Sequence, residues 1–302
     1  MPDLTVDLAG VKLRNPTLLA SGFLGETGAS LVRVWNAGAG GVVTKSISPL
    51  PRLGYANPTV FETGENLLNA VGLPNPGMKE FEAETRTAVT AGVTVIGSVF
   101  GASPDEYAAS AVALESYGAH AIEMNLSCPH VEGTGAEIAE SEEAVREYVA
   151  AVKARTHVPV FAKLSPNVAH IAKFAAAAED AKADGITAIN TLKAMAIAPE
   201  LRMPVLAHGT GGLSGPAVKP VGVRCVYEIH KAVKIPILGV GGISTGRDAL
   251  EYLMAGASAV QIGTSILSRG IEVFAKVTAE IDAFLTAEGY TGVKEIVGAA
   301  HG

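Results

Sequence analysis

The chain has two cysteines in 302 residues, Cys128 and Cys225, far apart in sequence. That excludes a disulfide framework or a cysteine-rich metal site as the organising device, and a reducing, cytoplasmic setting is the simplest expectation. Lys and Arg form no run, and the net charge is −7, so the electrostatic footprint of a nucleic-acid binder is missing. Apolar stretches are interrupted by Gly, Pro or charge before they reach membrane-spanning length. Met1-Pro2-Asp3 opens the chain without the basic and apolar regions of a secretory signal. Aromatics make up only 5%, few for a β-sandwich. No metal site is expected.

What is present is Ala, Val, Ile and Gly. With 48% hydrophobic and 18% charged residues, a sizeable core can be buried, and the composition suits parallel strands alternating with packed helices. Eight short β-rich runs recur: Thr17–Ser21, Gly41–Ser46, Val93–Val99, Ala121–Asn125, Val160–Leu164, Ile186–Asn190, Ile237–Val240 and Ala259–Gly263. Amphipathic segments lie between them, including Pro104–Tyr117, Glu142–Arg155 and Val168–Ala183. Ser103-Pro104-Asp105-Glu106 reads as an N-cap, a proline at N1 and acids favoured by the helix dipole, and Ser141-Glu142-Glu143 reads similarly. Eight βα units predict a closed (β/α)8 TIM barrel, α/β in class, rather than an open doubly wound sheet. Leu4–Leu13 alternates around Ala9-Gly10 and predicts a small N-terminal hairpin.

Three connections are long: Ile47–Gly77, Leu126–Glu140 and Thr191–Val221. All follow strands and so belong to the C-terminal face, where barrel enzymes place their chemistry. Strand ends there carry Lys45, Asn125, Lys163 and Asn190. One strand-end lysine commonly snorkels to water. Two lysines with two amides inside apolar strands cost stability unless they are used, and point to a site. Gly239–Ser244 and Gly263-Thr264-Ser265 end the last two strands, where backbone N–H groups and the following helix N-terminus suit a phosphate. Gly209–Gly215 is a third glycine run that could close over the same ligand. None fits G-x-G-x-x-G, so no Rossmann dinucleotide site is expected. Cys128, in Asn125-Leu-Ser-Cys-Pro-His130, is a candidate base or nucleophile; position alone does not choose. His130 reads as an exposed loop histidine, and Cys225 as a small buried hydrophobe.

These motifs together resemble the class 1 dihydroorotate dehydrogenases, flavin mononucleotide (FMN) enzymes of pyrimidine synthesis. The resemblance covers essentially the whole chain. It rests on Ala20-Ser-Gly22, Thr44-Lys-Ser46, Asn69-Ala-Val-Gly-Leu73, Asn125-Leu-Ser-Cys-Pro129, Lys163-Leu-Ser165, Asn190-Thr191, Gly211–Pro220 and Gly241-Gly-Ile243. The Cys in N-L-S-C-P is similar to class 1, since class 2 uses Ser as the base.

The resemblance implies one FMN-binding barrel domain over residues 1–302, oxidising dihydroorotate to orotate on the way to UMP. Cys128 would be the general base. Ser21, Lys45, Ser46, Asn125, Lys163, Ile189, Gly215, Gly241, Gly242, Gly263 and Thr264 would hold FMN. Ser98 stands where many relatives have an Asn beside the flavin, and can still hydrogen-bond. Lys45, Asn69, Ala70, Val71, Gly72, Leu73, Asn125, Asn190 and Thr191 would hold the substrate. Asn190–Ile197 with the Gly211–Pro220 run is most similar to class 1B, in which a separate iron–sulfur flavoprotein subunit, with FAD and a 2Fe-2S cluster, passes electrons to NAD. Two cysteines are too few to ligate that cluster within this chain. A homodimer, or a heterotetramer with that subunit, is implied. A class 1A homodimer using fumarate, or another FMN barrel acting on dihydropyrimidines, is the alternative.

Overall fold

A computed structural model of the chain describes residues 1–126 and 141–302. The N-terminal strands β1 (Val6–Leu8) and β2 (Val11–Leu13) pair antiparallel, Val6 opposite Leu13. Ala9 and Gly10 turn between them with φ of 51° and 95°, the left-handed pair that a tight hairpin requires. In order there follow β3 (Thr17–Leu19), α1 (Gly28–Asn36), β4 (Gly41–Val43), β5 (Val60–Thr63), β6 (Asn66–Asn69) and α2 (Glu82–Thr90). Next come β7 (Val95–Val99), α3 (Pro104–Ser116), β8 (Ala121–Asn125), α4 (Glu142–Lys153), β9 (Val160–Leu164), α5 (Ile171–Asp180) and β10 (Gly185–Ala188). Four short strands, β11 (Leu192–Ala194), β12 (Ile197–Ala198), β13 (Met203–Pro204) and β14 (Gly211–Ser214), precede α6 (Lys219–Ala232). The chain ends with β15 (Ile237–Val240), α7 (Gly246–Met254), β16 (Ala259–Ile262), α8 (Ile266–Arg269) and α9 (Val273–Glu288), then short 3-10 turns.

Strands β3, β4, β7, β8, β9, β10, β15 and β16 close into one parallel barrel in that order. Every residue of β7, β8 and β9 is buried, as expected where helices cover the outside and side chains fill the inside. The eight β-rich runs of the sequence are the eight barrel strands, shorter by one to three residues at some ends, with β10 starting one residue earlier.

Local sequence explains how the helices are aimed. Ser103 accepts a hydrogen bond from the Glu106 N–H at 3.3 Å, with Pro104 in the first turn. Ser141 caps α4 by accepting from the Ala144 N–H at 3.2 Å. Helix α4 then buries Val145, Val149 and Val152 while its charged face stays outside, each such side chain contributing about 1.5–3 kcal/mol. Among the described residues, no helix is long and apolar enough to cross a membrane.

Two of the long connections are more ordered than their composition suggests. Strands β5 and β6 from the connection 47–77, and β11 and β14 from the connection 191–221, join as one antiparallel sheet, β11-β14-β6-β5. Leu68 lies opposite Leu213 and Asn69 opposite Gly212. A glycine-rich run has no strand signature of its own; β14 forms because β6 supplies a partner edge from far away in the sequence.

Within the barrel, Gly185 on β10 is in register with Phe161 on β9. A Cβ at Gly185 would meet the Phe161 ring at 2.2 Å, and Phe161 is fully buried. Gly185→Ala should therefore lower the unfolding free energy by about 1–3 kcal/mol. Adding Phe161→Leu should recover part of that loss, read as the urea midpoint of each variant.

Candidate active site

One cavity of about 930 Å³ opens at the C-terminal mouth of the barrel. Nearly all the candidate residues border it. Ser21, Lys45, Ser46, Asn125, Lys163, Ile189, Gly215, Gly241, Gly242, Gly263 and Thr264 do so, as do Asn69, Ala70, Val71, Gly72, Leu73, Asn190 and Thr191. Cys128 and His130 lie outside the described residues. Ser98 is fully buried and is not on the cavity wall; it stands behind Ser46, Oγ to Oγ at 2.9 Å.

At one end, polar side chains are linked to each other. The Asn190 amide donates to Asn125 Oδ1 at 3.1 Å, and the Asn125 amide donates to Ser46 Oγ at 3.3 Å. Ser46 also lies 3.4 Å from Ser21. Register explains why these meet: Asn125 on β8 pairs with Lys163 on β9, which pairs with Thr187 on β10. Strand β10 ends at a cis peptide between Ala188 and Ile189. The Lys45 ammonium is buried and lies 3.3 Å from the exposed Glu26 carboxylate. The wall over this end comes from the antiparallel sheet, where Asn69 donates to the Gly212 carbonyl at 3.1 Å. Asn167 ties two loops, donating to Ser165 Oγ at 3.0 Å and to the Thr191 carbonyl at 3.1 Å.

At the other end the three glycine runs knit together. Thr264 and Ser214 hydroxyls are 2.8 Å apart, and Ser265 donates to the Ile243 carbonyl at 2.8 Å. Gly242 has φ of +70°, and a Cβ there would sit 2.7 Å from the Gly215 carbonyl oxygen, so only glycine fits the approach. Tyr252 holds the turn from below by donating to the Gly241 carbonyl at 2.7 Å. Burial pushes its hydroxyl above the usual tyrosine range, which keeps it a donor. Among the described residues, the N–H groups of Gly242, Ile243 and Thr264 find no protein acceptor. Unpaired N–H groups beside a cavity suit an anion.

The expectation that the helix after the seventh strand offers its own N-terminus needs correction. Asp248 takes those donors: its Oδ2 accepts from the N–H groups of Ser244 at 3.0 Å and Thr245 at 2.8 Å, while Glu280 accepts from Gly246. Burial opposes the Asp248 charge, but Lys219 and these donors outweigh it and hold its carboxyl below the usual range. A helix start already filled by a carboxylate does not bind a second anion well. The glycine turns, not the α7 terminus, carry the free donors.

Sequence reasoning passed over Glu123 and Gln261. Glu123 is fully buried on β8, 3.3 Å from the Lys163 ammonium, and accepts from Thr187 Oγ1 at 3.0 Å and Gln261 Nε2 at 2.6 Å. Gln261 borders the cavity, and its Oε1 is buried without a hydrogen-bond partner. The available signal was a carboxylate inside an apolar strand, two residues before Asn125, which demands a partner.

A closed parallel barrel with glycine turns and a lysine–amide cluster around one C-terminal cavity defines the class, a (β/α)8-barrel enzyme. The dihydroorotate dehydrogenase family profile matches residues 3–285. The catalytic subunit of dihydroorotate dehydrogenase B (NAD(+)) from Thermoplasma acidophilum is 49% identical over 300 residues, covering 99% of each chain. That of Pyrococcus abyssi is 50% identical over 297 residues, covering 98% of this chain and 99% of its own. The Methanothermobacter thermautotrophicus subunit is 47% identical over 300 residues, covering 99% of this chain and 98% of its own. The chain belongs to the dihydroorotate dehydrogenase family.

Cys225 lies on α6, fully buried. Burial pushes its thiol up to about 11, so it is uncharged near neutral pH and a poor nucleophile. In a Cys128→Ser chain at pH 8, a thiol reagent should leave Cys225 unmodified while folded and label one thiol fully in urea.

Proposed function

We propose that this chain is the catalytic subunit of an NAD-linked, class 1B dihydroorotate dehydrogenase, acting in the cytoplasm as one FMN-binding barrel domain over residues 1–302. It oxidises dihydroorotate to orotate in UMP synthesis. Its electrons pass to NAD through a partner subunit carrying FAD and a 2Fe-2S cluster, in a heterotetramer built on a homodimer. The observation that carries this reading is one cavity with backbone donors at one end that are unpaired among the described residues, and a lysine–amide cluster at the other.

That donor set suits FMN. The Gly242, Ile243 and Thr264 N–H groups match a phosphate, and the Gly242–Gly215 approach leaves backbone rather than side chains around it. Lys163 and Asn125 match the polar edge of a flavin ring, and Ser21, Lys45, Ser46, Ile189, Gly215, Gly241 and Gly263 complete the surround, with Ser98 acting through Ser46. FMN, when bound, supplies the acceptor for the hydride leaving C6 of the substrate.

The protein supplies the rest. Cys128, as thiolate, takes the proton from C5, and the electron pair left behind forms the C5–C6 double bond as the hydride departs. Asn69, Asn125 and Asn190 offer paired donors and acceptors to the imide and carboxylate of the ring, with Lys45 as a fixed positive charge. Backbone from Ala70 to Leu73, together with Thr191, shapes the substrate's side of the cavity. The Lys163 ammonium favours negative charge developing beside it.

The purified chain should be yellow or become so with FMN, and should bleach anaerobically on adding dihydroorotate. A chain that takes up no FMN would overturn the reading. Cys128→Ala should keep FMN and lose at least about 100-fold in its rate of reduction by dihydroorotate near neutral pH. Turnover with fumarate in place of the NAD-linked partner would assign the chain to class 1A instead.

A further inference from the structure

We propose that Glu123 is a positioning residue which holds the Lys163 ammonium at the cavity through a buried ion pair. It depends on the FMN reading only for what that ammonium acts upon. Lys163 is 5% exposed and Glu123 is 0% exposed. A lysine buried to this degree without a counter-charge loses its proton easily, because desolvation penalises the charged form. A carboxylate in contact reverses that balance, and Glu123 Oε1 is 3.3 Å from Lys163 Nζ.

The surroundings of Glu123 fix its own state. Lys163, Thr187 Oγ1 and Gln261 Nε2 all donate to it. Three donors around one carboxyl hold it in one orientation. The Gln261 amide is set by the same contact: with Nε2 on Glu123, its Oε1 turns elsewhere and finds no protein donor. The three partners come from β9, β10 and β16, so the carboxylate is held by two successive strands on one side of β8 and by one from across the barrel.

Other charged groups on the cavity wall make different contacts. Lys45 lies against Glu26, and Arg52 donates through Nε to the Gly72 carbonyl at 2.7 Å. Glu62 and Lys193 also border the cavity. Among the described residues, Glu123 is the carboxylate that contacts Lys163.

The test begins on the full-length chain without cofactor. Lysines are acetylated competitively at pH 8, and each site is read by mass spectrometry against the exposed Lys79. The relative reactivity of Lys163 should rise about tenfold in Glu123→Gln. Glu123→Asp, which keeps the charge, should return most of the wild-type value. A reactivity unmoved by Glu123→Gln overturns the proposal. If that variant does not fold, Gln261→Leu, which removes one donor from the carboxylate, is read the same way, and an unmoved reactivity again overturns it.

A second readout uses the chain reconstituted with FMN. The midpoint potential at pH 7 should be lower in Glu123→Gln than in wild type, with Glu123→Asp close to wild type. A potential unchanged or raised in Glu123→Gln overturns the link from Glu123 through Lys163 to the ring. Failure to take up FMN counts against the FMN reading, while the acetylation profile still decides whether Glu123 governs Lys163.

Discussion

A carboxylate inside an apolar barrel is tolerable only when every lone pair facing protein is met, and Glu123 is the case here. Left alone in that environment it would cost several kcal/mol. Instead, Lys163, Thr187 and Gln261 surround it, so residues on β8, β9, β10 and β16 share one charge. Replacing one partner strands the others, and this coupling makes buried ion pairs fragile as well as specific. In the polar cluster beside it, Asn125 ends β8, Asn190 follows β10 and Ser46 follows β4, so the spacing of the strands sets theirs.

The two ends of the cavity are built by opposite means. The lysine–amide end uses side chains on rigid parallel strands, whose register brings Asn125, Lys163 and Thr187 side by side. The glycine end uses bare backbone, held from outside by Tyr252 and by the Thr264–Ser214 and Ser265–Ile243 bonds. The antiparallel sheet forms a wall shared by both, with Asn69 on β6 at the first end and Ser214 on β14 bonded to Thr264 at the second. Its strands come from two connections and bury Leu68 against Leu206 in a small cluster of their own. That wall carries Asn69 to the cavity while leaving the barrel core undisturbed.

Much of this was legible in advance. The eight strands announced themselves by short apolar runs, and the caps at Ser103 and Ser141 by residue type alone, because both depend on neighbours in sequence. The cavity residues were legible for a similar reason: strand ends of a parallel barrel must converge, so Lys45, Asn125, Lys163 and Asn190 had to meet. Ser98 was harder to place. It sits on the correct strand, but Ser46 stands between it and the cavity. The α7 terminus was misjudged, since the offer of a helix N-terminus is visible in sequence and its prior occupation by Asp248 and Glu280 needs three dimensions.

Period, capping and glycine placement are local properties, and from them the sequence by itself determined the closed barrel, its hairpin and the face that carries chemistry. Family membership is equally a property of the ordered motifs. Tertiary structure alone decided which groups share a charge, which donors stay unpaired and which loops become a sheet. Those outcomes depend on distances between residues far apart in the chain. Glu123 and Gln261 are separated by more than a hundred positions yet meet at 2.6 Å, and no local pattern encodes that meeting.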